Sequence, residues 1–224
     1  MQRTRELMLP MKVWDGPVRL FHWGIVLLVI TSFVTQYEGW MQLHFLSGYT
    51  ILAALLFRLV WGFVGSDTAR FGRFLKSPVA AVRYLGRMGR REPDTVVGHN
   101  PAGGWMVLVL LLLLAVQVGT GLFSNDDVNA RGPLALRVGK AMSDEFSYWH
   151  AVNFWLVATA ITLHVAVVGA YAVLKGQNLV RPMVTGKKRL PGRTPAPRLR
   201  SPVLAGAIFV VAAGLVWVAL RLLA

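Results

Sequence analysis

The chain has 224 residues, of which 55% are hydrophobic and 15% charged, and its formal net charge is +14. This composition is too apolar and too poor in charge for an ordinary soluble domain. The basic residues lie in blocks between long apolar runs, which indicates a membrane protein rather than a nucleic-acid-binding one. The absence of cysteine excludes disulfides, thiolate zinc sites and cysteine-ligated iron–sulfur clusters.

Five apolar segments are long enough to cross a membrane, which takes about 20 helical residues. We predict spans over residues 18–35, 41–64, 103–123, 146–174 and 202–224. The first follows basic residues, as a signal peptide does, but no small-residue cleavage site follows it, so we expect it to be retained. The sequence therefore predicts an all-α integral membrane protein. We expect a four-helix bundle in residues 1–188, set apart from a fifth helix by a basic, proline-rich linker over 189–201.

Two shorter signals lie between the second and third spans. The stretch KSPVAAVRYLGRM, which starts at Lys76, has a Ser-Pro start and apolar residues at helical spacing. It predicts a short amphipathic helix on the inner membrane surface. Asn100 and Pro101 have the residue types of a helix N-cap and a first helical position, so we expect the third span to begin there.

Lysine and arginine are concentrated in three connections that lie on one side of the membrane if the spans alternate. These are the N-terminal tail with Arg3 and Arg5, the 64–102 connection and the 175–201 connection. Positive charge in short connections marks the cytoplasmic side. We therefore predict that the N-terminus lies on the inner, cytoplasmic side and that the fifth span ends on the outer side.

Four of the five histidines lie inside predicted spans, where ionisable side chains are costly and suggest a functional site. His150 and His164 are fourteen residues apart, which is about 21 Å of helix and nearly four turns, so they share one face. His44 begins the second span at the outer level, and His22 lies near the inner start of the first. The sequence thus predicts an outer pair, His44 with His150, and an inner pair, His22 with His164.

Two facing histidines from separate helices suit a low-spin haem with both axial positions filled. The porphyrin is an apolar disc that fits between helices, and Gly119 and Gly121 in the third span would allow a close approach. Zinc would prefer three or four ligands with carboxylate or thiolate, and a proton relay would usually add acidic residues inside the spans. A non-redox transporter that uses the histidines for metal or protons remains the alternative from another class.

A haem carries two propionates that need cationic or hydrogen-bonding partners. Arg58 lies inside the second span, fourteen residues after His44, and is expected on the same face at the inner level. Arg19, one turn before His22, is a second candidate. An arginine whose side chain extends to the membrane–water interface would explain this residue equally well. His99 lies outside the apolar spans, on the inner side, and we interpret it as a non-ligand with a surface or capping role. Lining a quinone site or passing a proton are the alternatives for this residue.

Several motifs stand in a characteristic order along the chain. They are WDGPVRLFHW (14–23), HFLSGYTILAALLFRLVWGFVG (44–65), GHNPAGGWM (98–106), WHAVNFWLVATAITLHV (149–165) and RPMVTGKK (181–188). Over residues 12–188 the chain resembles the bacterial cytochrome b561 and nickel–iron-hydrogenase-type cytochrome b family. The resemblance implies a four-helix membrane core with two non-covalent b-type haems. Their iron ligands here would be His22, His44, His150 and His164.

The resemblance also implies a function in the respiratory chain, with electrons moving between the quinone pool and a redox partner such as a hydrogenase or a soluble c-type cytochrome. The fifth helix departs from the basic four-helix pattern, so partner identity does not carry over, and the helix is itself a candidate docking element. Some members of the family act alone as superoxide:quinone oxidoreductases. That activity would need a cationic outer funnel, for which Arg131, Arg137 and Lys140 are candidates despite the acidic residues beside them.

Overall fold

A computed structural model describes residues 7–90, 95–128 and 130–223, so the predicted tail residues Arg3 and Arg5 lie outside the described part. Helices dominate the architecture, as the sequence predicts. In chain order the elements are β1 (Met8–Lys12), α1 (Gly16–Tyr37), α2 (Met41–Val64), α3 (Phe71–Phe74), α4 (Pro78–Leu85), α5 (Pro101–Phe123), α6 (Ala135–Val138), α7 (Lys140–Ala170), a π-helical turn (Tyr171–Lys175), α8 (Val180–Thr185), β2 (Lys187–Pro191) and α9 (Pro202–Leu223).

The five predicted spans are confirmed as helices long and apolar enough to cross a membrane: α1, α2, α5, α7 and α9. Helix α2 has the predicted bounds, and α7 begins at Lys140 instead of residue 146. Its first turns are polar, so an apolar run cannot reveal them. Large hydrophobic side chains cover the outer faces of the bundle; Leu27 is 67% exposed and Val210 is 69% exposed. Such continuous apolar surface indicates contact with lipid.

Polar caps determine where the helices start. Asp15 accepts the backbone N–H of Val18 at 2.7 Å and the indole N–H of Trp61 at 3.1 Å, which joins the start of α1 to α2. Asn100 accepts the N–H of Gly103 at 2.7 Å, so the predicted N-cap of α5 is confirmed. The predicted amphipathic helix is also present, as α4, and it exposes Val79 and Val82 beside its arginine.

A two-stranded antiparallel sheet departs from the all-α prediction. Strand β1 pairs with β2 from Met8 opposite Pro191 to Lys12 opposite Lys187. Leu190 is fully buried in the core that this sheet covers. Residues 189–191 therefore belong to the packed unit rather than to the linker that the sequence predicts. Each strand has five residues, and their pairing joins two distant segments, so no local pattern reveals it.

The linker does not set the fifth helix apart, which corrects the sequence-based expectation. The N–H of Asp67 donates to the carbonyl of Arg198 at 3.0 Å, and the N–H of Arg198 donates to the carboxylate of Asp67 at 3.1 Å. The N–H of Arg200 donates to the hydroxyl of Ser66 at 2.9 Å. Helix α9 then packs along α2 and touches α1. The ring centroids of Phe57 and Phe209 are 6.1 Å apart in this interface. The linker is held because its backbone pairs with the loop that follows α2.

The ends of the five long helices lie alternately at the two ends of the bundle, as successive crossings of a membrane require. The β1–β2 sheet and the Asp67–Arg198 bonds tie the N-terminal segment, the 65–100 connection and the 175–201 connection to one side. On the other side, Arg137 donates to the backbone carbonyl of Leu223 at 3.0 Å. The C-terminal end of α9 therefore lies beside the 124–139 connection. Which side is cytoplasmic remains a prediction from the lysine and arginine bias.

Because the chain lacks cysteine, single-cysteine variants report sidedness directly. Val128 is 79% exposed and Leu7 is 74% exposed, so labelling at either position reports the side of the membrane rather than burial. We expect a membrane-impermeant maleimide to label Val128→Cys in intact cells, and Leu7→Cys only after permeabilisation. The opposite result would contradict a cytoplasmic N-terminus, and labelling of both in intact cells would contradict the alternation of spans.

Candidate functional site

The structure brings the four intramembrane histidines together in the two predicted pairs. The ring centroids of His22 in α1 and His164 in α7 are 6.4 Å apart. Those of His44 in α2 and His150 in α7 are 6.3 Å apart. Helix α7 therefore contributes one histidine to each pair, and a different helix supplies the opposite one.

The separation within each pair suits two imidazoles on opposite sides of one metal ion. A metal–nitrogen bond of about 2 Å, with the nitrogen roughly 1.1 Å from its ring centroid, places two such rings about 6 Å apart. Imidazoles hydrogen-bonded to each other would be closer, at about 5 Å. The described residues contain no group of three or more histidine, cysteine, aspartate or glutamate side chains that could hold a metal ion. The pairs therefore suit a metal whose remaining ligands come from its own macrocycle.

The outer pair is oriented by backbone carbonyls. Nδ1 of His44 lies 2.9 Å from the carbonyl oxygen of Ser32, and Nδ1 of His150 lies 2.9 Å from that of Gln117. A carbonyl oxygen only accepts, so each Nδ1 carries the proton and each Nε2 carries the lone pair. This is the tautomer that a histidine ligand requires, with its other nitrogen held by an acceptor.

Helix α5 supports His150 through polar residues that the sequence analysis missed. The side-chain nitrogen of Gln117 lies 3.2 Å from Nε2 and 3.4 Å from Nδ1 of His150. Because these distances are nearly equal, the amide lies over the ring face and leaves the in-plane lone pair of Nε2 available. Gln117 also accepts a hydrogen bond from Asn153 at 2.7 Å. A glutamine and an asparagine within apolar spans are the sequence signal that could have identified them.

Gly121 allows the ring of His150 to lie against α5. A Cβ atom built at this position would lie 2.9 Å from Cε1 and 3.2 Å from Nδ1 of His150. This is closer than such atoms approach, so any side chain here would displace the ring. The close approach that the sequence suggests for this glycine is thus made to a histidine of the outer pair.

The inner pair has different surroundings. Nδ1 of His22 is buried, and the described residues offer it no hydrogen-bond partner. The His22 ring meets Trp23 edge-on, with centroids 4.9 Å apart. The indole of Trp23 in turn donates to the carbonyl of Met183 at 3.4 Å. The described contacts of the His22 ring are therefore with other rings, Trp23 and His164, and not with a carbonyl acceptor.

Arg58 lies buried in α2, with 2% of its surface exposed. The Cζ atom of its guanidinium is 4.8 Å from the ring centroid of Phe71 and 5.9 Å from that of Phe74. Within the described part of the chain, its Nη1 atom has no hydrogen-bond acceptor. A buried guanidinium that lacks an acceptor is suited to bind an anion.

His99 is not a surface or capping residue, because Asn100 provides the cap and the His99 ring is packed inside. Its centroid is 4.6 Å from that of Trp14 and 4.7 Å from that of Phe74, the ring that Arg58 also contacts. Its Nδ1 is buried without an acceptor among the described residues. Burial first, and then the nearby charge of Arg58, lowers the pKa of His99 to about 3, so the imidazole is neutral at neutral pH.

Arg19, the other predicted anion partner, has acceptors of its own. Its guanidinium donates to the carbonyl of Met183 at 3.2 Å and to that of Val184. These bonds fasten the C-terminal half of α8 to α1. They account for Arg19 without a bound anion.

Comparisons with known proteins agree with this architecture. The family described as prokaryotic cytochrome b561 matches residues 13–186. A probable Ni/Fe-hydrogenase B-type cytochrome subunit from Azotobacter chroococcum mcd 1 is 23% identical, over 78% of this chain and 86% of that protein. A probable Ni/Fe-hydrogenase 1 B-type cytochrome subunit from Escherichia coli (strain K12) is 25% identical, over 83% of this chain and 94% of that protein. No solved structure gives a significant match.

Substitution of Gly121 tests the geometry of the outer pair. We expect Gly121→Ala to displace the ring of His150 and to lower the content of bound cofactor in purified protein. Gly214→Ala in α9 is the matched control, because no described atom lies within 4 Å of a Cβ added there. Absorbance per protein in the Soret region measures the difference. Equal cofactor content in both variants would contradict the assigned contact.

Proposed function

Because the chain belongs to the prokaryotic cytochrome b561 family, we propose that it is a membrane-bound di-haem cytochrome that transfers electrons between the quinone pool and a redox partner. The observation that carries the proposal is the pair of histidine levels, with ring centroids 6.4 Å and 6.3 Å apart. Bound b-type haem supplies a one-electron carrier at each level. His22 and His164 would ligate the inner iron, and His44 and His150 the outer iron.

The protein's own contribution is to hold the ligands rigidly and at separate heights. Both α7 histidines lie on one continuous helix, so about 21 Å of helix separates the two levels. The carbonyls of Ser32 and Gln117 hold the outer ligands in one tautomer. Lipid-facing hydrophobic side chains exclude water from the bundle. These features support rapid transfer of charge between two fixed positions.

Arg58 and His99 are suited to hold a propionate of the inner haem. Both have a buried nitrogen without an acceptor in the described chain, and both contact Phe74. A carboxylate between them would accept from the Arg58 guanidinium and from Nδ1–H of neutral His99. Burial of Arg58 without such an anion would leave a desolvated charge unpaired. We assign the propionate role to Arg58 with His99, and a fastening role to Arg19.

A nickel–iron hydrogenase is the redox partner that the named relatives favour over a soluble c-type cytochrome. Two of these relatives, from Azotobacter chroococcum mcd 1 and Escherichia coli, carry hydrogenase-subunit names and align with most of this chain. A quinone in the bacterial inner membrane is the proposed second substrate. The packing of α9 along α2 makes the fifth helix a fixed part of the surface that such a partner would meet.

The alternative of a stand-alone superoxide:quinone oxidoreductase has weaker support. Lys140 pairs with Asp127 at 2.7 Å and with Asp144 at 2.6 Å. Arg137 donates to the carbonyl of Leu223. Two of the three cations proposed for an outer funnel are therefore already engaged by acceptors, which reduces their attraction for an anionic substrate.

Spectroscopy of purified protein tests the proposed function directly. We expect a b-type α-band in the reduced-minus-oxidised spectrum and about two haems per chain, because each histidine pair would hold one. Absence of the band would favour the non-redox transporter. A haem-to-protein ratio near one would contradict the two-haem version.

Variants of His99 test the propionate assignment. His99→Phe retains a ring against Trp14 and Phe74 but removes the donor, so we expect the haem-to-protein ratio to fall toward one. His99→Gln retains a donor and should hold more haem than His99→Phe. Pyridine haemochrome analysis of both variants gives the ratio. Full haem content in His99→Phe, with an unchanged spectrum, would show that His99 serves packing alone.

A further inference from the structure

The outer and inner histidine pairs differ in the hydrogen-bond acceptors near their Nδ1 atoms. At the outer level, Nδ1 of His44 and Nδ1 of His150 each lie 2.9 Å from a backbone carbonyl oxygen. At the inner level, Nδ1 of His22 is buried and finds no partner in the described chain. The spacing of the histidines in the sequence does not distinguish the two levels. The difference in Nδ1 acceptors therefore arises from the helices packed against the histidines.

The two outer acceptors are built in the same way. The hydroxyl of Thr35 donates to the carbonyl of Thr31 at 2.7 Å, and that of Thr120 donates to the carbonyl of Val116 at 2.7 Å. Each hydroxyl also lies near the carbonyl that its histidine uses, 3.3 Å from Ser32 and 3.1 Å from Gln117. Threonine bonding of this kind often bends a helix. The same arrangement therefore accompanies the acceptor carbonyl on both α1 and α5.

A histidine that donates from Nδ1 to a carbonyl is a more basic ligand through Nε2. A more basic axial ligand stabilises the ferric state of an iron over its ferrous state. It therefore lowers the midpoint potential of the haem it binds. Both outer ligands have this bond, whereas no described residue offers an acceptor to Nδ1 of His22.

At the inner level, a buried positive charge is expected to raise the midpoint potential of a bound haem. Arg58 is a buried cation on this side of the bundle, and its neighbourhood of aromatic rings screens charge poorly. A nearby positive charge stabilises the reduced state and raises a midpoint potential. The carboxylate of Asp15 interacts with Arg58 and offsets part of this charge. At the outer level, Lys140 is exposed and paired with two aspartates.

We propose that the outer pair is the low-potential haem site and the inner pair is the high-potential site. The inference rests on the proposed di-haem function and adds the order of the two midpoint potentials. With both haems bound, one electron moving inward would oxidise the outer iron and reduce the inner iron, so no other reactant would be needed. This order would offset the cost of moving an electron toward the negative inner side of an energised membrane.

Single-ligand variants test the order with the full-length protein. Anaerobic redox titration of the wild type should resolve two components, and haem analysis should give about two haems per chain. His44→Ala should keep the higher-potential component, and His22→Ala should keep the lower one. The reverse assignment would overturn the inference. A wild-type ratio below two would instead count against the proposed function.

Arg58 gives a second test that does not remove a ligand. Arg58→Met removes the charge at similar volume, and Arg58→Lys retains it as the matched control. Because Arg58 is also the proposed propionate partner, we expect Arg58→Met to retain less of the inner haem than the wild type. In the haem that it retains, we expect the higher-potential component alone to lie about 59 mV lower, a tenfold change in a one-electron equilibrium. Arg58→Lys should shift that component by less. A shift confined to the lower-potential component would overturn the assignment.

Discussion

The spacing of two histidines along α7 is the constraint on which the site depends. One unbroken helix, Lys140–Ala170, carries His150 and His164, so their separation is fixed by helix geometry rather than by loop conformation. Helices α1 and α2 run antiparallel and each brings one histidine to meet one of these levels. The other long helices pack against these three: α5 supports the outer histidine pair, and α9 covers α2.

The two ends of the frame are held by different chemistry. At the outer level, backbone carbonyls of α1 and α5 orient the histidines through hydrogen bonds of 2.9 Å. The inner level contains a buried arginine, a neutral histidine and several aromatic rings, and some of its nitrogens have no acceptor among the described residues. A bound haem would use these differences, because ligand basicity and nearby charge are the means by which a protein adjusts redox potential.

Much of this arrangement follows from local sequence patterns, and the remainder depends on tertiary contacts. Apolar length predicts all five spans, and the fourteen-residue interval between His150 and His164 predicts the two levels. The β1–β2 sheet was missed because its strands are short and come from segments far apart in the sequence. His99 was interpreted as peripheral because it lies outside every apolar run. Its burial comes from Trp14 and Phe74, which no local pattern places beside it.

We propose that each histidine pair holds one haem between α7 and a second helix, and a density map of the purified, full-length protein would show it. We expect two disc-shaped features, one between His22 and His164 and one between His44 and His150, with a carboxylate of the inner disc near Arg58 and His99. A map in which the four histidines contact one another or lipid, with no disc between them, would contradict it.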